Sequence, residues 1–288
     1  MRNDEKTKRP KNKTTICRAD WHTVPMLTDL HCHMLPGIDD GSREMEQSLA
    51  MARIAVADGI STTVVTPHHL NGVYSNPAQR IRSGIEQLND ALQKAAIGLN
   101  ILPGCELHLT PELPAELDCG SALTIANKGK AALVELPVHT VPMGAEHLLE
   151  QLLAMGLTPV IAHPERNSEL RRMPQRLGEW VQMGCLGQVT VQSCTGRFGE
   201  VVQQSAKFMV QNGYIHVAAS DAHRDRRRIP QLTPAREPIS KWTSIEAARL
   251  IIEAYPTDLA AGRQLELELL HRALPTPKKP WWRKMVGG

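Results

Sequence analysis

Strand-like, apolar segments of this chain repeatedly end at a histidine or a carboxylate, and this arrangement most constrains the fold. Seven such segments, near 27–31, 60–66, 99–106, 131–136, 157–163, 186–191 and 214–220, alternate for the most part with helical patterns. Strands that alternate with helices predict a parallel sheet whose faces are covered by helices. Six of the seven predicted strands carry a His, Asp or Glu at or just beyond their C-terminal end.

The spread of these polar residues distinguishes between two parallel architectures. In an open, doubly wound sheet the functional groups gather at one switch point. In a closed barrel the C-terminal ends of all strands converge on one mouth. Because six strands end in such residues, we predict an α/β fold in which the strands close into a barrel.

The helical patterns predict where several helices begin and end. Apolar residues recur at helical spacing from Met45 to Val56, with Ser42 as the expected N-cap and Asp58-Gly59 as the expected end. Asn76-Pro77 opens a second helix that has four apolar residues on one face. Further helices are predicted near 145–155, 174–183, 199–212, 244–254 and 263–273.

Composition limits the class of protein. The 288 residues are 42% hydrophobic, which is enough for a sizeable core, but only 3% are aromatic. The net charge of +3 argues against a dedicated nucleic-acid binder, which usually has a concentrated basic face. The sequence has no run of about 18 apolar residues, and Met1 to Lys13 lack the apolar region of a signal peptide. We therefore expect a cytoplasmic protein without a transmembrane segment.

One globular domain is expected between two tails. Residues 1–25 are charged at first and lack a clear period, which predicts a flexible N-terminal extension. Residues 26–274 contain all the predicted strands and helices. Residues 275–288 are short, basic and interrupted by proline, which predicts a flexible C-terminal tail. The six cysteines form no CxxC pair and are expected to be free thiols.

The histidines and carboxylates at the strand ends indicate a metal site. His31 and His33 are two residues apart, a spacing that places both side chains on one side of a strand, and the same holds for Asp221 and His223. Metals bind neutral imidazoles and ionised carboxylates together. Mixed nitrogen and oxygen ligands suit Zn²⁺, Mn²⁺ or Fe²⁺ better than Ca²⁺ or Mg²⁺. The joint pattern predicts a polynuclear metal centre.

The motifs at the strand ends are similar to those of a known superfamily. They are HxH followed by DDG at 31–41, T-x-H at 66–68, G-x-E at 104–106, V-E at 134–135, AHPER at 162–166 and SDAH at 220–223. Together they resemble the PHP (polymerase and histidinol phosphatase) superfamily. Within it, the chain looks like the bacterial protein-tyrosine phosphatases of capsule and exopolysaccharide operons. The resemblance extends from about Leu27 to Leu274.

This resemblance implies a distorted seven-stranded (βα) barrel of TIM-like PHP type that holds three metals, usually Mn²⁺, with Fe²⁺ or Zn²⁺ as alternatives. The implied ligands are His31, His33, Glu106 and Asp221 for one metal, Glu106, Glu135 and His163 for a second, and Asp40, His68 and His223 for the third. Arg166 of AHPER and Arg228 of the loop after SDAH would bind the phosphate.

The reaction implied by the resemblance is hydrolysis of phosphotyrosine in proteins. Asp40, Asp221 or His223 would deliver a proton to the leaving oxygen, and the sequence does not choose among them. The chain lacks a cysteine followed by arginine six residues later, an Asp-x-Asp and a GxxxxGK[ST] loop. Cysteine-nucleophile, aspartyl-phosphate and phosphate-loop chemistries are therefore disfavoured.

The expected partner is a tyrosine-phosphorylated protein, specifically a bacterial tyrosine kinase that controls polysaccharide export. Two alternatives stay open: a PHP phosphatase of a small phosphomonoester such as histidinol phosphate, and a non-catalytic, metal-bound regulator that docks the kinase. A C–N hydrolase of the amidohydrolase type shares HxH on a barrel, but the extra carboxylates and the arginines disfavour it. His69 beside His68, the Arg224–Arg228 loop and Arg197 are further candidates for the mouth.

Overall fold

All paired strands run parallel in the computed structural model of the protein, which describes residues 26–275. The strands are β1 Leu27–Cys32, β2 Ile60–Val65, β3 His68–His69, β4 Asn100–Pro103, β5 Glu106–His108, β6 Ala131–Glu135, β7 Thr158–Ala162, β8 Leu186–Thr190 and β9 Val217–Ala219. They form a three-stranded sheet in the order β1-β2-β4 and a six-stranded sheet in the order β3-β5-β6-β7-β8-β9. The predicted α/β class with parallel strands is confirmed.

Two strand regions are each divided in the structure, so the described residues contain nine shorter strands. Strands β4 and β5 share the strand predicted near 99–106, whereas β3 lies beyond the end of the strand predicted near 60–66. Pro67 separates β2 from β3, and Pro103 ends β4, because proline has no N–H to continue the ladder. Gly104 allows a close approach here, since a Cβ atom at this position would lie 2.7 Å from Val64 Cγ1. The first part of each divided strand pairs in the smaller sheet, and the second part pairs in the larger one.

The two sheets meet where β1 lies beside the chain that follows β9. Cys32 and Ala222 form a parallel bridge. His33 N donates to Ala222 O at 2.8 Å, and Asp221 N donates to His31 O at 2.8 Å. These bonds bring the C-terminal ends of the first and last strands to the same place, while a fully closed seven-stranded barrel stays a prediction.

Helices pack around the sheets and close the core. They are α1 Met45–Ala57, α2 Ala78–Lys94, α3 Leu113–Asp118, α4 Ala145–Ala154, α5 Ser168–Arg172, α6 Gln175–Met183, α7 Val191–Cys194, α8 Glu200–Gln211, α9 Arg236–Trp242, α10 Ile245–Arg249, α11 Tyr255–Ala260 and α12 Leu267–Ala273. The predicted apolar face of α2 is confirmed, because Ile81, Ile85, Leu88 and Leu92 are all buried. Every residue of β1 and of β8 is buried, as expected for strands covered on both faces.

Two predicted helix boundaries were wrong, those of α1 and α12, and one predicted helix changes type along its length. Helix α1 begins at Met45 with Glu44 as its N-cap, because Ser42 instead donates its hydroxyl to Glu44 O at 3.0 Å. The helix predicted near 244–254 changes from α10 into a π-helical turn at Leu250–Ala254. Residues 263–266 precede α12, and Arg263 there pairs with Asp258 at 2.6 Å.

Some expectations fall outside the described part of the chain. They concern the predicted flexible extension of residues 1–25 and residues 276–288 of the predicted basic tail. Within residues 26–275, no helix is both long enough and apolar enough to span a bilayer. The cysteines of this part, Cys32, Cys105, Cys119, Cys185 and Cys194, are free thiols.

The buried His216 makes stability depend on pH. Its Nδ1 accepts a hydrogen bond from Gly187 N at 3.1 Å, and burial, aided by the charge of His271, lowers its pKa from 6.5 to about 3. In the unfolded chain this histidine binds a proton below pH 6.5, whereas in the folded protein it stays unprotonated down to about pH 3. The free energy of unfolding therefore falls as the pH drops from 6.5 to about 3. The free energy of unfolding of the natural protein should fall between pH 7 and pH 5. We predict that in His216→Gln this fall is smaller by about 2 kcal/mol. Urea unfolding of both proteins at each pH measures this difference, and identical pH profiles would refute the assignment.

Candidate metal centre

The first cluster of side chains forms where β1 and β9 end and β5 begins. His31 and His33 project to the same side, as their spacing predicted, and their Nε2 atoms lie 3.1 Å apart. Glu106 Oε2 lies 3.1 Å from His31 Nε2 and 3.2 Å from His33 Nε2. Asp221 Oδ1 lies 3.4 and 3.6 Å from the same two nitrogens. These four side chains are buried and direct their ligand atoms at one volume.

A second cluster shares Glu106 with the first. Its Oε1 lies 2.8 Å from His163 Nε2, which in turn lies 3.9 Å from Glu135 Oε1. On the other side, His68 Nδ1 lies 3.0 Å from Glu106 Oε2 and 3.4 Å from Glu135 Oε2. Glu106 therefore faces histidines with both of its oxygens.

The third cluster lies at the solvent side. Asp40 Oδ1 lies 3.5 Å from His68 Nε2 and 3.3 Å from His223 Nε2. Together with His33, these residues could hold a metal ion. All nine side chains predicted as ligands thus come together, although they originate from widely separated parts of the chain. His68 contacts both the second and the third cluster, whereas the sequence placed it in the third alone.

Charge in this centre is dominated by buried carboxylates. Burial alone would raise the pKa of Glu106, but His31 and His68 beside it hold that pKa well below its usual value. Burial likewise opposes ionisation of Asp221, yet Arg228 and His31 hold its pKa well below the usual range. The centre therefore offers ionised oxygen ligands that require nearby positive charge.

The donor set fits divalent cations. Glu106 Oε2, His68 Nδ1 and Asp221 Oδ1 are buried without a hydrogen-bond partner, although polar atoms lie close by. Such atoms point at a common centre instead of at each other's hydrogens, as metal ligands do. Burial lowers the pKa of His223 to about 4, so this imidazole is neutral at pH 7 and able to ligate. Cys32 and Cys105 belong to the apolar core, as expected, and add no thiolate.

Two arginines converge on one carboxylate oxygen at the edge of the centre. Arg166 Nη1 lies 2.5 Å from Asp221 Oδ2, and Arg228 donates to the same oxygen. Arg228 reaches it because the loop folds back: His223 N donates to Arg228 O at 2.9 Å, and Arg228 has a positive φ of 51°. Arg226 of the same loop points to solvent, with 91% of its side chain exposed.

The other residues that the sequence suggested for the site lie outside the ligand clusters. His69 accepts a hydrogen bond from Asn76 N through Nδ1 at 3.0 Å and does not join the cluster. Arg197 is exposed, whereas its neighbour Phe198 packs under the Arg166 guanidinium at 5.1 Å. Arg224 donates to the carbonyl oxygens of the DDG turn, so it ties two loops together.

Sequence reasoning missed three residues around the ligands. Asp39 Oδ2 lies 2.7 Å from His33 Nδ1, and His108 Nδ1 lies 3.5 Å from Glu135 Oε2. Gln188 lies 3.0 Å from His31 Nδ1. Asp39 adjoins Asp40 in the DDG motif, which is a signal that could have identified it. His108 and Gln188 lie within strands, where no motif marks them.

Comparison with known proteins identifies the family of this chain. Residues 27–260 match the family model described as "Capsular polysaccharide synthesis, CpsB/CapC". The chain is 42% identical over 202 residues to tyrosine-protein phosphatase YwqE of Bacillus subtilis (strain 168), covering 70% of this chain and 79% of that protein. It is 30% identical over 228 residues to tyrosine-protein phosphatase CpsB of Streptococcus pneumoniae, covering 77% of this chain and 93% of that one.

Solved structures give the same relationship. A structure from a study of YwqE and CpsB as "unique metal-dependent tyrosine phosphatases" superposes with a TM-score of 0.73 at 37% identity, over 88% of this chain and 97% of that chain. Dihydropyrimidinase from Brevibacillus agri shares the fold alone, with a TM-score of 0.50 at 14% identity. The resemblance inferred from the motifs is confirmed. The chain belongs to the CpsB/CapC family of capsular polysaccharide synthesis proteins.

Proposed function

We propose that this protein is a metal-dependent phosphatase that hydrolyses phosphotyrosine in proteins. The observation that carries the proposal is the convergence of Arg166 and Arg228 on one oxygen beside a centre of ionised carboxylates and histidines. A phosphoryl group has several anionic oxygens, so it requires both guanidinium donors and cations nearby. The printed names of the relatives, tyrosine-protein phosphatases, agree with this enzyme class.

The proposed metal ligands follow the three clusters. We assign one metal to His31, His33, Glu106 and Asp221, a second to Glu106, Glu135 and His163, and a third to Asp40, His68 and His223. Glu106 suits a bridging role because its two oxygens face different histidines. Mn²⁺ is the proposed metal, with Fe²⁺ and Zn²⁺ as the other ions suited to these ligands. Bound divalent ions at such a site lower the pKa of water and neutralise developing charge on phosphoryl oxygens.

The chain's own groups bind and orient the substrate. Arg166 and Arg228 are positioned to donate to phosphoryl oxygens, and the Phe198 ring under Arg166 holds that guanidinium at the edge of the site. Asp221 is held ionised by Arg228 and His31, which suits it to orient the two arginines and to ligate, and not to donate a proton. A phenolate is a comparatively good leaving group, so hydrolysis of phosphotyrosine makes little demand for a proton donor, and Asp40 and His223 remain the candidates for that role.

The closed barrel is part of the proposal, since it explains why distant strand ends meet. Counting β2 with β3 and β4 with β5 gives seven strands, and the Cys32–Ala222 bridge joins the last to the first. Closure of this kind brings all C-terminal strand ends to one mouth.

The proposed substrate is a tyrosine-phosphorylated protein, and the expected partner is a bacterial tyrosine kinase of capsule or exopolysaccharide synthesis. Such a kinase would place the reaction in the cytoplasm. A small phosphomonoester such as histidinol phosphate and a non-catalytic docking role are the alternatives that the following experiment separates.

We predict that the purified protein with Mn²⁺ hydrolyses a phosphotyrosine peptide faster than a phosphoserine peptide or histidinol phosphate. A chelator should abolish turnover, and His33→Ala should do the same because it removes a buried ligand atom. Phosphate release measures all three. Preference for histidinol phosphate would favour the small-substrate alternative, and absence of turnover by the fully metallated protein would favour the docking role.

The role of Arg228 has a matched control on its own loop. We predict that Arg228→Ala lowers kcat/KM for the phosphotyrosine peptide by about 10²-fold, the usual effect of removing one donor to a charged transition state. Arg226→Ala should leave kcat/KM unchanged, because 91% of that side chain is exposed to solvent. Equal effects of the two substitutions would indicate general electrostatic attraction and contradict the assigned phosphate contact.

A further inference from the structure

We propose that Gln188 is a positioning residue that supports the ligating tautomer of His31, by accepting a hydrogen bond from its Nδ1–H, and thereby raises metal affinity. The inference rests on the proposed metal centre, though its test does not require turnover. Gln188 is the third residue of β8 and is fully buried. Its side-chain amide lies 3.0 Å from His31 Nδ1, on the side of the ring that faces away from the other ligands.

The other nitrogen of His31 determines what Nδ1 must do. His31 Nε2 faces Glu106 Oε2 at 3.1 Å and Asp221 Oδ1 at 3.4 Å. To ligate a cation, Nε2 must present its lone pair, and a neutral imidazole then carries its proton on Nδ1. In that state, Nδ1 donates a hydrogen bond and needs an acceptor. Without a cation, Nε2–H can donate to a carboxylate, and Nδ1 needs a donor.

Gln188 can serve both states because a primary amide carries a donor and an acceptor at the same distance from its stem. With its NH₂ group toward His31, it matches the state without metal, and its Oε1 is then buried without a partner. A half-turn of the amide brings Oε1 to Nδ1–H and matches the ligating state. The oxygen and nitrogen of an amide are assigned from the surrounding hydrogen bonds. The orientation of the Gln188 amide therefore follows from whether His31 Nδ1 carries a proton.

The neighbouring ligand provides a contrast within the same motif. His33 Nδ1 lies 2.7 Å from Asp39 Oδ2, and a carboxylate can only accept. The proton of His33 is therefore fixed on Nδ1 in every state, whereas His31 can exchange its tautomer as the amide of Gln188 turns. Gln188 also leaves His31 without added charge, in a centre that already contains several buried carboxylates.

Metal affinity of the metal-depleted full-length protein tests this role. We expect Gln188→Met, which keeps the side-chain length but removes both hydrogen-bonding groups, to weaken Mn²⁺ binding by about 10- to 100-fold, as loss of a ligand's hydrogen-bond partner usually does. Gln188→Glu keeps an acceptor and should bind Mn²⁺ at least as tightly as the natural protein. Gln192→Met is the matched control, because Gln192 is also buried but contacts Ile229 O at 3.4 Å. Competition with a fluorescent chelator measures each affinity.

A spectroscopic measurement reports the tautomer directly. In protein labelled with ¹⁵N-histidine and loaded with diamagnetic Zn²⁺, we expect His31 Nδ1 to be protonated and Nε2 to carry no proton. If Gln188→Met does not fold, this spectrum and the Gln188→Glu affinity still decide the matter. An unprotonated Nδ1 in the Zn²⁺-loaded protein, or equal Mn²⁺ affinities of Gln188→Met and Gln192→Met, would overturn the inference. Because neither measurement uses a phosphoester, lack of phosphatase activity would overturn the proposed function alone.

Discussion

The burial of ionised Glu106 is the constraint on which the centre depends. Its carboxylate lies between four imidazoles, those of His31, His33, His68 and His163, at 2.8 to 3.2 Å. A buried charge without partners is strongly unfavourable, so strands from distant parts of the chain must deliver these rings to one place. The parallel sheets do so because His31 and His33 come from the end of β1, His68 from β3 and His163 from just beyond β7. The arrangement of the strands therefore determines the site.

The backbone near the site accepts unusual conformations to satisfy this constraint. His163, Asp221 and Arg228 all have positive φ angles, of 34°, 49° and 51°, which side chains other than glycine rarely adopt. Each such residue costs on the order of 1–3 kcal/mol and persists only where its surroundings enforce it. Gly41 has the complementary role: a Cβ atom there would lie 2.2 Å from His33 O, so the DDG turn requires glycine to approach the ligands.

Sequence patterns predicted the parts of the molecule that follow from periodicity and strand ends. The parallel α/β class, the buried face of α2 and the family followed from such patterns, and the nine residues expected as metal ligands lie together. The division at Pro67 and Pro103 did not follow, because a proline reveals a missing N–H but not a switch between sheets. Gln188 and His108 were missed because a polar residue inside a strand has no spacing that reveals its partner. The role of Gln188 depends on a contact between β8 and β1, and that of His108 on a contact between β5 and β6. Only folding creates these contacts.

The shared carboxylate of Asp221 gives the two arginines an internal counter-anion. Arg166 and Arg228 already donate to Asp221 Oδ2, so an arriving dianion must compete with a group that never leaves the protein. This competition weakens the capture of inorganic phosphate, which has no polypeptide contacts to compensate. A ligand attached to a longer chain can compensate through contacts outside the mouth. The same ion pair that positions the two arginines would thus weaken retention of the small anion that the reaction would generate.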